Sequence, residues 1–188
     1  MAKRIPSRYS GTAQAIHWLT AILVLTAFIY GPGGGEARVY AAAREFERQL
    51  HETLGLCVLA LLVLRILWRA VDTRPAPPQS ARWMEVSATI VQAALYVLLF
   101  AVPLTAIAGA WLEGHPLALL GGIHVSPPLV EAHALGAVTA EVHGWLGDAV
   151  IWLAGAHALA GLFHHYVLRD GVLRSMLPPW LAISDRDA

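Results

Sequence analysis

Four stretches of this chain are apolar for long enough to cross a lipid bilayer, and that feature limits the fold more than any other. A spanning helix needs roughly 20 mostly apolar residues, and the stretches run at about 13–30, 50–68, 86–111 and 140–167. In hydrocarbon the backbone must satisfy its own hydrogen bonds, so continuous apolar runs of this length become helices. The expected fold is all-α, a transmembrane four-helix bundle forming a single membrane domain over residues 1–188. Only 14% of the residues are charged, against about a quarter in soluble domains. The formal net charge of zero gives nucleic acid no electrostatic reason to bind.

The connections fit four spans. Gly31-Pro32-Gly33-Gly34-Gly35 cannot continue a helix and closes the first. The proline-rich run Arg74-Pro75-Ala76-Pro77-Pro78 separates the second from the third, and Pro103 predicts a kink inside the third. The long segment from Leu112 to Thr139 is expected to cover one membrane face, with a short helix around Leu129 to Leu135. Nine basic residues (Lys3, Arg4, Arg8, Arg69, Arg74, Arg82, Arg169, Arg174 and Arg186) fall on one side of the membrane. Only Arg38, Arg44 and Arg48 fall on the other. The positive-inside rule then puts both termini in the cytoplasm. The basic start, the first apolar run and Ala41-Ala42-Ala43 imitate a cleavable secretory signal. Against cleavage stands His17, which lies in that first run and has a counterpart elsewhere.

Histidine is the unusual residue. His143 and His157 are 14 residues apart in the last span, nearly four turns, so they share a helix face about 21 Å apart along the axis. His17 enters the first span from the cytoplasmic side, and His51 enters the second from outside. Topology therefore matches depths in two pairs, His51 with His143 towards the outer surface and His17 with His157 towards the inner one. Imidazoles on facing helices are what axial ligation of an iron porphyrin from both sides requires. Gly55 and Gly147 each follow a histidine by four residues and leave a flat slot on the same face, although small residues also serve simply to pack helices closely. His164 is the rival inner ligand, seven residues beyond His157. His165 belongs among headgroups, and His115, His124 and His133 lie in the outer loop. The single cysteine, Cys57, reads as a small hydrophobe within a span.

Arg65 interrupts the run Leu61-Leu62-Val63-Leu64 and Ile66-Leu67. A charge at that depth is costly unless it is paired or snorkels. Lying 14 residues after His51, it reaches the inner site, where a haem propionate would be a bidentate partner. Snorkelling to the cytoplasmic headgroups is the equal alternative.

These residues resemble the prokaryotic cytochrome b561 family of four-helix dihaem proteins in the bacterial inner membrane. The likeness is carried by His157-Ala158-Leu159-Ala160-Gly161-Leu162-Phe163-His164-His165-Tyr166 with Leu168-Arg169-Asp170-Gly171, by Arg8-Tyr9-Ser10 through Ile16-His17-Trp18-Leu19, and by His51-Glu52-Thr53-Leu54-Gly55 leading into Leu64-Arg65-Ile66-Leu67-Trp68-Arg69. The resemblance implies two haems b, with His17, His51, His143 and His157 as iron ligands, in agreement with the depth argument. It also implies electron transfer with membrane quinone as partner. Some relatives are similar to superoxide oxidases, and others to the cytochrome b subunits of hydrogenases and dehydrogenases. A periplasmic donor, superoxide among the candidates, would load the outer haem, and Trp18 and Arg65 are the nearest candidates to contact a quinone. A haem-bearing anchor of a larger dehydrogenase is the alternative within this chemistry. A metal transporter using membrane histidines is the alternative outside it, and would place carboxylates or thiolates beside them. Of the groups within the spans, Asp148 and Cys57 do not fit such a first shell well.

Overall fold

A computed structural model describes residues 7–73, 75 and 80–181. Lys3, Arg4, Arg74, Arg186 and most of the proline-rich run lie outside the described residues. The chain is helical, with four helices long and apolar enough to span a membrane.

Helix α1 covers Gly11–Ile29 and starts at Ser10, whose Oγ accepts the Ala13 N–H at 3.3 Å. It ends before Gly31, and a short α2 (Glu36–Val39) and a 3-10 turn (Ala42–Arg44) lead into α3, Glu45–Val71. The second membrane helix thus begins more than a turn before the apolar run does. Its first turn holds Glu45 and Glu47, which favour a helix N-terminus. Helix α4 spans Arg82–Leu112 and passes through Pro103. Helix α5 spans His133–Phe163 and runs on into a π-helical turn, His164–Leu168, before α6, Val172–Met176.

The loop between α4 and α5 departs from expectation. No separate helix forms around Leu129 to Leu135; the last membrane helix itself begins at His133. The loop instead carries an antiparallel hairpin, β1 (Leu117–Leu119) with β2 (Ile123–Val125). Leu120, Gly121 and Gly122 make the turn, and the two glycines take φ of 85° and 77°, positive values that glycine adopts without strain. Leu117 and Ala118 are buried, the Ala118 N–H donates to the Glu52 carboxylate, and the Leu120 N–H donates to Thr53 Oγ1 at 3.0 Å. The hairpin therefore docks on α3 beside His51.

The helices associate as two pairs, α1 with α3 and α4 with α5, and across the pairs α3 meets α4. Close approach of α4 and α5 depends on glycine. A methyl group on Gly109 would lie 3.3 Å from the Ala140 nitrogen, and one on Gly136 would lie 3.1 Å from the Glu113 nitrogen. Few side chains are fully covered, among them Ile16, Val58, Leu62 and Val150, so most of the apolar surface faces outward, as lipid contact demands.

The end opposite the hairpin is closed by the segments that flank the first and last membrane helices. Tyr9 N–H donates to the Ser175 carbonyl at 3.1 Å, and buried Gln14 donates to the carbonyls of Tyr9 and Ser175 at 3.2 and 3.1 Å. Ser10 Oγ donates to Asp72 at 2.7 Å and accepts from Trp68 Nε1 at 3.1 Å. The molecule therefore has a hairpin end and a termini end.

Candidate functional site

The four membrane histidines face one another in the two pairs that their depths require. At the hairpin end the rings of His51 on α3 and His143 on α5 have centroids 5.9 Å apart and planes at 87°. At the termini end His17 on α1 and His157 on α5 stand 6.3 Å apart at 82°. Both contacts cross the seam between the two helix pairs. Two imidazoles sharing one metal, at about 2.0–2.1 Å from each nitrogen, have centroids roughly 6 Å apart.

The hairpin-end rings are held in a defined tautomer. His51 Nδ1 lies 2.7 Å from the Ala27 carbonyl, and His143 Nδ1 lies 2.9 Å from the Val102 carbonyl. A carbonyl only accepts, so each Nδ1 is the N–H donor and each Nε2 keeps its lone pair for a metal. Local backbone explains the first acceptor. Ala27 lies in the last turn of α1, where carbonyls lose their helical partners, and the Gly31 N–H that would continue the ladder bonds Phe28 instead. A methyl group on Gly31 would also come within 3.5 Å of His51 Cε1. Val102 precedes Pro103, and its oxygen accepts from Thr105 Oγ1 at 2.9 Å as well as from His143.

The glycines that follow His51 and His143 have open space beside them. A methyl group built on Gly55, Gly144 or Gly147 meets nothing within 4 Å, whereas Gly109 and Gly136 are in tight contact. Close packing thus explains the second set of glycines and not the first. Each pair brings two imidazoles of facing helices to the spacing of a shared metal, with no third ligating side chain beside them among the described residues, which suits a porphyrin iron better than a four-coordinate tetrahedral ion. Among the described residues, the one cluster of carboxylate and imidazole groups close enough to share an ion is Glu36, Glu113 and His115, which lies outside the spans.

Arg65 neither points freely at lipid nor meets a carboxylate. Its Nε donates to the Tyr96 hydroxyl of α4 at 3.0 Å, and its charge lies within electrostatic reach of both His17 and His157. Trp18 packs edge-on against His17 at 5.4 Å, and its indole N–H is spent on the Met176 carbonyl at 2.9 Å. His164, the rival ligand, is tied to Asp170 in the turn that follows α5. His115 stacks on Tyr40 at 3.5 Å and contacts Glu36 at 2.7 Å. Burial, then Glu52 and Glu113, push the Tyr40 hydroxyl well above its ordinary range. Burial and Glu36 likewise raise the Glu113 carboxyl.

The pattern that describes the prokaryotic cytochrome b561 family matches residues 8–179. This chain belongs to the prokaryotic cytochrome b561 family. It is similar to cytochrome b561 homolog 2 of Escherichia coli K12, with 31% identity over 173 residues and 92% of each chain covered. It is 30% identical over 175 residues to a Yersinia pestis protein described as "Probable superoxide oxidase CybB", covering 91% of this chain and 96% of that one. It is 30% identical over 177 residues to cytochrome b562 of Cereibacter sphaeroides, again covering 91% and 96%. As a prokaryotic cytochrome b561 with four spanning helices, it is a multi-pass membrane cytochrome, and membership implies haem b binding.

Sequence reasoning missed the two carbonyl acceptors and Tyr96. Gly31 and Pro103 were visible signals of irregular helix, but which carbonyl a histidine would reach depended on how the helices pack. Tyr96 had no signal in the sequence beyond being a hydroxyl in an apolar run.

Proposed function

We propose that this cytochrome b561 holds two haems b, one between His51 and His143 and one between His17 and His157, and passes electrons between a donor at the hairpin end and quinone in the membrane. The observation that carries this reading is the pair of opposed imidazole contacts at 5.9 and 6.3 Å. Haem b held by both imidazoles of each pair would supply one-electron transfer. The chain's own residues supply the rest. The Nδ1–H bonds to Ala27 and Val102 aim the hairpin-end rings, Gly55 and Gly147 leave their faces open, and Arg65 offers a positive charge suited to a propionate. Trp18 walls the termini-end site beside His17. The positive-inside rule assigns the hairpin end to the periplasm and the termini end to the cytoplasm, with the bundle in the bacterial inner membrane.

The charge at the hairpin end bears on the donor. Arg44 is paired with Glu47 and Arg48 with Glu52, while Glu36, Glu113 and Glu131 add further carboxylates. That balance favours a neutral or cationic donor over the superoxide anion that the Yersinia relative's description names.

The purified chain is expected to give a reduced-minus-oxidised spectrum of cytochrome b and, by pyridine haemochrome, two haems per chain. A preparation that incorporates no haem b overturns the reading. Quinol formation driven by superoxide well above the uncatalysed rate would overturn the charge argument alone.

A further inference from the structure

We infer that the lipid-facing groove between α3 and α4 at the termini end binds the head group of the quinone, an inference that rests on the electron-carrier reading above. The groove holds about 330 Å³ and is lined by Ile66 and Arg69 of α3 and by Thr89, Gln92, Ala93 and Tyr96 of α4. Small-molecule sites commonly run from about 300 Å³ upwards. Its neighbour is a smaller cavity lined by Arg65, Trp68, Ile16 and Met176, and the two share Arg69 and Tyr96. Tyr96 thus lines both the open groove and the inner cavity that Arg65 and Ile16, the neighbour of His17, also line. On one face it borders the open groove, and its hydroxyl accepts from Arg65, which lies within reach of His17 and His157.

Gln92 points to the ligand's chemistry. It lies ten residues into α4, about 15 Å along the axis, where a polar side chain facing hydrocarbon is unfavourable without a partner. It is exposed and has no hydrogen-bond partner among the described residues. Its amide supplies donors, and the Arg69 guanidinium lies 5.9 Å from the centre of the Tyr96 ring on the same wall. Ile66 and Ala93 supply apolar surface. Donors on an apolar wall open to lipid suit a flat ring with carbonyl acceptors that arrives from the membrane, which describes a quinone. An acyl chain would fill the same volume without using the amide.

The test is photolabelling of the full, haem-loaded chain in lipid nanodiscs with a short-tailed azidobenzoquinone, competed by a short-tailed benzoquinone. Label is expected in the peptides containing Ile66 to Arg69 and Thr89 to Tyr96. Gln92→Leu is expected to raise the competitor's half-saturation about fivefold, the loss of one hydrogen bond. Ala93→Trp is expected to abolish competition by filling the groove. Both side chains face outward, so haem content and spectrum are expected to stay those of the unaltered chain. Saturable labelling elsewhere, or competition undiminished in both variants, overturns the groove and leaves the electron-carrier reading standing. No saturable labelling of the unaltered chain overturns quinone as partner and the groove with it.

Discussion

The two histidine pairs have nearly the same spacing but are held in different ways. At the hairpin end each imidazole is fastened by its Nδ1–H to a backbone carbonyl of a neighbouring helix, Ala27 in the last turn of α1 and Val102 within α4. At the termini end no carbonyl plays that part for His17 or His157 among the described residues, and a guanidinium stands nearby instead. The first site is built for orientation and the second for charge. The difference assigns distinct failures to the two ends.

The largest expected effect is loss of a haem from one end only. His51→Ala or His143→Ala should lower the haem count from two to one and spare the termini-end haem; His17→Ala or His157→Ala should do the reverse. Visible redox titration with haem quantitation separates the four. His164→Ala is the control, because that ring is engaged with Asp170 in the turn after α5. If His164→Ala removed a haem while His157→Ala did not, the termini-end pair would be wrongly assigned.

How far the sequence disclosed this arrangement depends on the scale of the question. The four spans and the two pairings were legible, because apolar length, charge sidedness and the 14-residue interval are properties of a straight helix in a slab. The second helix begins at Glu45, ahead of the apolar run, because the mostly polar residues up to Gln49 carry no hydropathy signal yet continue the helix beyond the hydrocarbon. The hairpin was hidden in a loop whose Gly121-Gly122 turn announced itself only once its flanks were known to pair. Arg65 was left between a propionate and the headgroups, and the structure gives it a hydroxyl, because a tyrosine 31 residues away comes close only through packing of α3 on α4. Gly55 and Gly147 were indistinguishable from Gly109 and Gly136 by residue type. Only their surroundings separate open positions from contacts.

A smaller effect should follow from changing the charge at the termini end. A unit charge about 10 Å from a redox centre contributes about 1.7 kcal/mol at an effective dielectric constant near 20. For a one-electron couple that corresponds to roughly 70 mV. A positive charge favours the reduced state, so Arg65→Gln should lower the potential of the termini-end haem by about that amount. Tyr96→Phe, which removes the hydrogen bond holding the guanidinium, should move it in the same direction and less. Neither should move the hairpin-end haem by more than a small fraction of this shift. Equal shifts at both ends in a potentiometric titration would contradict the proposed separation of roles.

The smallest expected effect lies outside the spans, where carboxylates at the two ends have opposite company. Asp72 accepts from Ser10 and Asp170 engages His164, whereas Glu113 faces Glu36 with only His115 and His133 to offset it. Burial first, and Glu36 next, raise the Glu113 carboxyl above its ordinary range. A carboxyl raised in this way binds its proton more tightly in the folded chain. The stability it contributes is therefore fully present below the unfolded value of about 4.3 and is lost as pH rises through the raised folded value. Glu113→Gln removes that dependence, so the variant should melt at a slightly higher temperature than the unaltered chain at neutral pH. The difference should vanish as pH falls below about 4. Thermal melts of the haem-loaded chain in detergent, followed by circular dichroism, measure the gap at each pH. A gap independent of pH would mean that the substitution acts through packing against Gly136, whose α-carbon sits over the Glu113 side chain, and not through the crowded charge.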